Sequence, residues 1–136
     1  MSEARLTRRS GFTAYHHYGR PEWSEIENRQ AYGAQVDSHA HDWMVELDVV
    51  GPIDEDTGFA VDLRVVDDAL AALVQDWAGG DLNELIPEVR EGSMQPSTES
   101  IARWLFLRLE DGVPSPARLV RVGVWESDEL GAVFPV

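Results

Sequence analysis

Residues 39–62, HAHDWMVELDVVGPIDEDTGFAVD, decide how the rest of the chain is read. The stretch opens on His39-Ala40-His41, runs through residues of alternating apolarity, turns, and closes on Asp62 ahead of a helical pattern. Side chains of a strand alternate between its two faces, so His39 and His41 stand on one face, a single two-residue step apart. Two imidazoles so placed can grip one small cation, and zinc is the usual guest.

These residues carry a family resemblance. His39 and His41, the turn residues Gly51, Asp54, Thr57 and Gly58, and the helix-opening Asp62 stand in unbroken order. Together they resemble the His-Gly-His strand, Gly-x-x-Asp-x-x-Thr-Gly turn and following aspartate of the 6-pyruvoyl- and 6-carboxy-tetrahydropterin synthases, with Ala40 replacing the central glycine. The resemblance runs on through almost the whole chain. It implies the tunnelling fold, an α+β architecture with a four-stranded antiparallel sheet in the order ββααββ and two helices on one face. In that family such sheets join between subunits into a barrel, as trimers or hexamers.

The resemblance also implies site residues. Phe12-Thr13-Ala14-Tyr15-His16 is similar to the family's Phe-x-Ala-x-His strand, which makes His16 the third zinc ligand beside His39 and His41. Glu126-Ser127 is similar to the Glu-Thr pair whose glutamate hydrogen-bonds the pterin. A carboxylate suits that task because it accepts two parallel N–H bonds from a 2-amino-4-oxo-pyrimidine edge. Pro96-Ser97-Thr98-Glu99 resembles the family's Pro-Thr-x-Glu, which places Ser97 and Thr98 at the substrate.

The proton-transfer residues do not carry over. Four residues before the first histidine of the pair, where the family has a catalytic cysteine, this chain has Gln35, and it contains no cysteine at all. Of the family's Asp-His-x-x-Leu-Asn, the chain keeps Leu82-Asn83 but has Ala78 and Gly79 at the relay positions. An amide cannot abstract a proton. His17, Asp37 and Asp81 are the candidates to do so, with Tyr32 and Glu84 also near the vacated positions in sequence.

Composition bounds the remaining classes. A chain of 136 residues reads as one domain, 1–136, large enough for a real core. Eleven arginines and no lysine stand against 25 acids, a formal net charge of -14. That excludes a nucleic-acid or anionic-membrane partner, which would demand a basic patch. The absence of lysine excludes a Schiff base on a lysine side chain. No run of about 18 apolar residues is present, so no membrane span is expected. The opening MSEARLTRRS is followed by no apolar stretch, so no secretory signal is read and a cytoplasmic protein is expected.

Along the chain, residues 9–18 read as a short strand, with Phe12, Ala14 and His16 on one face and His17 on the other. Residues 19–38 read as a long connection with a short helix around 23–29; connections of this length tend to be functional. From Asp62 to Trp77 the apolar positions Leu63, Val66, Leu70, Leu73, Val74 and Trp77 follow helical spacing, with Asp62 as N-cap and Gly79-Gly80 as the stop. Residues 84–95 read as a loop. Ser97 then caps a second helix whose Ile101, Trp104, Leu105 and Leu109 face the core. Residues 118–126 alternate strictly as a strand, and 131–136 make a short last one. A single four-stranded sheet leaves two edges, so edge-to-edge assembly is physically sensible.

The expected function is a zinc-dependent lyase or cyclase acting on a pterin-like or other small N-heterocyclic substrate, repurposed from the family reaction. Three imidazoles and one open position describe a catalytic rather than a structural zinc site. Two alternatives stand beside it: a ring-closing condensation of an amine with an aldehyde, and a non-catalytic protein that keeps its metal and binds a ligand.

Overall fold

Two long strands frame the molecule. In the computed structural model, which describes residues 2–136, β1 (Glu3–His16) and β2 (His39–Pro52) pair antiparallel along their whole length. β3 (Arg118–Trp125) pairs with β2, and β4 (Gly131–Phe134) with β3, so the sheet runs β1-β2-β3-β4 with every neighbour antiparallel. β1 therefore begins well before residue 9. Its N-terminal half is rich in arginine, and each cation meets an acid across the sheet or on a helix: Arg5 with Asp48, Arg9 with Glu46, Arg8 with Asp67.

Alternation along β2 sorts the two faces. Trp43, Val45, Leu47 and Val49 are all buried under the helices. The intervening Asp42, Glu46 and Asp48 point to the other face, where they bond Thr13, Arg9, and the trio Thr7, Arg5 and Arg121. The helix-free face is thus a ladder of cross-strand polar pairs.

Among the described residues, five α-helices complete the fold: α1 (Glu25–Tyr32), α2 (Leu63–Val74), α3 (Leu82–Leu85), α4 (Pro87–Arg90) and α5 (Thr98–Leu109). Asp62 caps α2 by accepting from the Arg64 N–H, as its place before the apolar stripe predicts. That helix stops at Val74, short of Trp77, yet Trp77 is fully packed, edge-on to Phe12 at 5.8 Å and tilted against Trp104 at 5.8 Å. Val66 and Leu70 are buried, while Leu63, Leu73 and Val74 pack around the core's rim. α5 buries Ile101, Trp104, Leu105 and Leu109 as expected.

Residues 84–95 are not an open loop. α3 and α4 are single turns, started by the Asp81 cap and by Pro87 at its first position, and they bury Leu82, Ile86 and Val89. Just before them, the chain adds to the outer edge of β1: Gly79 N–H donates to the Thr13 carbonyl at 2.6 Å, and Tyr15 N–H to the Gly80 carbonyl at 2.8 Å. Gly79 sits at φ 75°, and a Cβ on Gly80 would lie 2.5 Å from Leu85, so this crossing needs its two glycines. Among the described residues, no helix is long and apolar enough to cross a membrane.

Candidate functional site

The β1–β2 register builds the site. His16 lies across from His39, and Ala14 across from His41, so all three histidines share the helix-covered face at one end of the sheet. They continue the row occupied further along β2 by Trp43 and Val45. Ala14, 0% exposed, is small enough to leave space beside His41. The ring centroids stand 4.5 Å (His16–His39), 5.1 Å (His16–His41) and 5.0 Å (His39–His41) apart, and one ring nitrogen from each lies within 4.8 Å of the others. The buried Trp43 ring floors the group, 4.8 Å from His16 and 5.6 Å from His41.

Two of the rings are oriented by backbone carbonyls. His16 Nδ1 is 2.9 Å from the Pro96 carbonyl, and His39 Nδ1 is 2.8 Å from that of Asp37. A carbonyl only accepts, so each Nδ1 carries the proton and each Nε2 presents its lone pair. His16 Nε2 is buried and has no hydrogen-bond partner. Burial, reinforced by the neighbouring His39 and His41, pushes its pKa down to about 4, although the Pro96 bond acts the other way. The ring is therefore neutral near pH 7. A buried, unprotonated nitrogen with no partner, converging with two further imidazoles, is a donor set that fits a zinc-like ion.

Glu126 completes the constellation. Met44 pairs with Trp125 at the end of β3, and Glu126, the next residue, reaches the histidine face. Its carboxylate is 12% exposed, with Oε2 3.8 Å from Nε2 of both His16 and His41.

The other sequence-derived candidates stand around this centre in different capacities. The Asp37 carboxylate is 69% exposed and pairs with Arg29 at 3.2 Å; it is the Asp37 carbonyl that touches the triad. Asp81 accepts from the Asn83 N–H at 3.0 Å as the cap of α3. His17 is not part of the ligand cluster; its Nε2 lies 3.4 Å from Asn83 Nδ2, and its backbone is held on both sides by Asn83, whose Oδ1 accepts from His17 N–H at 2.9 Å and whose Nδ2 donates to His17 O at 3.0 Å. Ser97 caps α5 through the Ser100 N–H at 3.2 Å, and Thr98, buried, donates to Glu99 at 2.7 Å. Gln35, in the cysteine's place, is exposed, and its carbonyl accepts from Tyr18 N–H at 2.9 Å.

Tyr18 and Gln95 escaped the sequence reading. Gln95 clasps Gly19 through both atoms of its amide, at 3.2 Å and 2.9 Å, as Asn83 clasps His17. Two side-chain amides and the Gln35 carbonyl thus pin residues 17–19 at the exit from β1. That holds the half-buried Tyr18 ring 5.1 Å from His16, with Tyr32 stacked on it at 5.4 Å and Trp23 on Tyr32 at 6.2 Å. Burial, then the Glu126 and Glu99 carboxylates, push the Tyr18 phenol up to about 12. An aromatic residue two places after a predicted ligand was the available signal.

Comparison with known proteins places the chain among its relatives. The family model described as 6-pyruvoyl tetrahydropterin synthase matches residues 5–135. A dihydroneopterin monophosphate aldolase of Pyrococcus furiosus is 26% identical over 129 residues, covering 95% of each chain. A 6-pyruvoyl tetrahydrobiopterin synthase of Drosophila melanogaster is 29% identical over 125 residues, 90% of this chain and 73% of that one. In structure, the 6-pyruvoyl tetrahydropterin synthase of Caenorhabditis elegans superposes with a TM-score of 0.87 at 18% identity, over 98% of this chain and 96% of that one.

Proposed function

The chain belongs to the 6-pyruvoyl tetrahydropterin synthase family, and we propose that it is a zinc-assisted lyase acting on the side chain of a pterin-like heterocycle. The observation that carries the proposal is the convergence of three imidazoles on one point with the Glu126 carboxylate beside them. Zinc held by His16, His39 and His41 would polarise an oxygen on the substrate side chain and make its proton easier to lose. Pro96 and Asp37 keep two imidazoles in the ligating tautomer through their carbonyls. Glu126 accepts N–H bonds from the heterocycle, and Trp43 keeps water from beneath the site. Tyr18, protonated at neutral pH, serves as a hydrogen-bond donor. By the family's manner of assembly, the protein works as a trimer or hexamer.

The family's two best-known outcomes, a 6-pyruvoyl or a 6-carboxy product, are not the proposed ones. Gln35, Ala78 and Gly79 leave their proton relay without a like-for-like member, and general acid–base groups typically contribute about 10² to 10⁴-fold each. The relative named as an aldolase supports cleavage of a dihydropterin side chain instead. The lack of a titratable side chain at Gln35, Ala78 and Gly79 favours a second reading, the amine–aldehyde ring closure, because a substrate with its own amine asks less of the protein as a base.

Zinc-loaded protein incubated with dihydroneopterin, its monophosphate and its triphosphate, with products followed by chromatography and pterin fluorescence, tests the proposal. Metal-dependent side-chain cleavage, and negligible formation of either 6-pyruvoyl or 6-carboxy product from the triphosphate, is expected. Zinc-replete protein that neither binds nor turns over any of the three would remove the pterin substrate class. Efficient formation of the pyruvoyl product would return the chain to the family reaction.

A further inference from the structure

Glu126 stands against the histidines themselves. Its carboxylate is nearly buried, and among the described residues no arginine lies within 4.0 Å and no hydrogen-bond donor serves it; its contacts are His16 Nε2 and His41 Nε2, both at 3.8 Å. That separation is too long for a hydrogen bond. His16 Nε2 is itself wholly buried and unpartnered. Lone pairs of a carboxylate and an imidazole directed at one small space repel unless a positive charge lies between them, and an uncompensated buried carboxylate is costly.

We infer that Glu126 is the fourth ligand of the ion held by His16, His39 and His41 in the ligand-free protein. The inference rests on the reading that the triad holds a metal. Around a tetrahedral ion with ligand distances of about 2.1 Å, neighbouring donor atoms stand about 3.4 Å apart. The observed 3.8 Å lets the carboxylate close on the ion by a shift of about half an ångström, within the reach of small rotations about its side-chain bonds. The carboxylate also cancels one of the ion's two charges, which three neutral imidazoles leave unbalanced. A heterocycle that drew this carboxylate to its own N–H groups would leave the ion with an open position, so the same glutamate would link substrate recognition to access to the ion.

The test uses zinc alone, titrated into metal-stripped full-length protein against a chromophoric chelator. Wild type should take one ion per chain, E126Q should bind it at least about tenfold more weakly, and E126D should fall with E126Q because the shortened side chain no longer reaches. Cobalt-loaded wild type and E126Q should differ in their visible d–d bands, which report the donor set directly. Equal zinc affinity and equal cobalt spectra in wild type and E126Q would overturn the inference while leaving the histidine site standing. Full recovery of affinity in E126D would overturn it too, since charge without reach would then suffice. Wild type that takes up no ion would defeat the metal reading itself, a distinct result. Glutamine matches glutamate in size and aspartate is one methylene shorter, and far-ultraviolet circular dichroism verifies the fold of both variants.

Discussion

His16 sets a pH dependence that can be isolated from the rest of the molecule. The ring is 0% exposed, and burial lowers its pKa from 6.5 to about 4. The folded state resists protonating it while the unfolded chain does not, so between those values the unfolded state holds more protons. Stability is then fully present above pH 6.5 and is lost as pH falls toward 4. The full difference corresponds to roughly 3 kcal/mol, and the portion between pH 7 and pH 5 to about 2 kcal/mol. Other groups titrate in this range as well, so the measurement is a difference. His16→Asn keeps a side-chain N–H near the position of Nδ1, able to donate to the Pro96 carbonyl, and cannot take up a proton. Urea unfolding of metal-stripped protein, at fixed protein concentration and in chelator, should show wild type losing about 2 kcal/mol more than His16→Asn between pH 7 and pH 5. Equal losses would refute the reasoning, because burial would not then be holding the ring neutral.

Three further outcomes follow from the same geometry. Purified protein should carry about one zinc per chain, and His39→Ala with His41→Ala should abolish it, by elemental analysis. Light scattering at micromolar concentration should give a trimer or hexamer, because β1 and β4 leave two sheet edges and backbone pairing reaches β1 from outside only around Thr13 and Tyr15 among the described residues; a monomer would contradict this. Gly131→Ala should destabilise by about 1–3 kcal/mol in thermal or chemical unfolding, since the added Cβ would fall 2.2 Å from the Trp125 ring. An unchanged midpoint would mean that the ring moves aside freely.

How much of this was legible depends on the range of the interaction. β2 could be read because its period of two is written in apolar residues, and the same period aligned His39 with His41. The join to His16 needed the strand register, which the resemblance supplied and spacing alone could not. The first half of β1 was hidden because its alternation is written in Arg5, Thr7 and Arg9, whose partners lie more than thirty residues away on β2. α3 and α4, at four residues each, are too short to show a helical period. Asp81, a candidate proton carrier on its place in the sequence, also caps α3, a role that turns on a hydrogen bond to the N–H two residues on. Asn83 and Gln95 clasp the backbone near Tyr18 from 66 and 76 residues away, and a lone amide in a sequence gives no hint of such a partner.

The positions of the family's relay hold Ala78 and Gly79 here, and that bears on the chemistry. Gly79 donates its N–H to the Thr13 carbonyl, and the neighbouring Gly80 carbonyl accepts from Tyr15 N–H, so the segment extends the sheet beside His16. It contributes no titratable side chain at 78 to 80. On the proposed reading the groups at the site divide the work: imidazole lone pairs for a metal, the Glu126 carboxylate for the metal or, once substrate is bound, for its N–H groups, and the Tyr18 phenol as a donor. Tyr18 keeps its proton up to about pH 12, since a phenolate there would be buried beside Glu126 and Glu99. It can steady a developing negative charge with a hydrogen bond, but it is a poor base at neutral pH. Such a site is well suited to a substrate whose leaving proton sits on a hydroxyl, where a metal held by the triad would itself lower the barrier to its loss. It is poorly suited to the removal of a proton from carbon, which needs a positioned protein base. Side-chain cleavage that begins at a hydroxyl, and condensation driven by the substrate's own amine, both meet that condition; the stepwise C–H proton shuttling of a pyruvoyl-forming reaction does not.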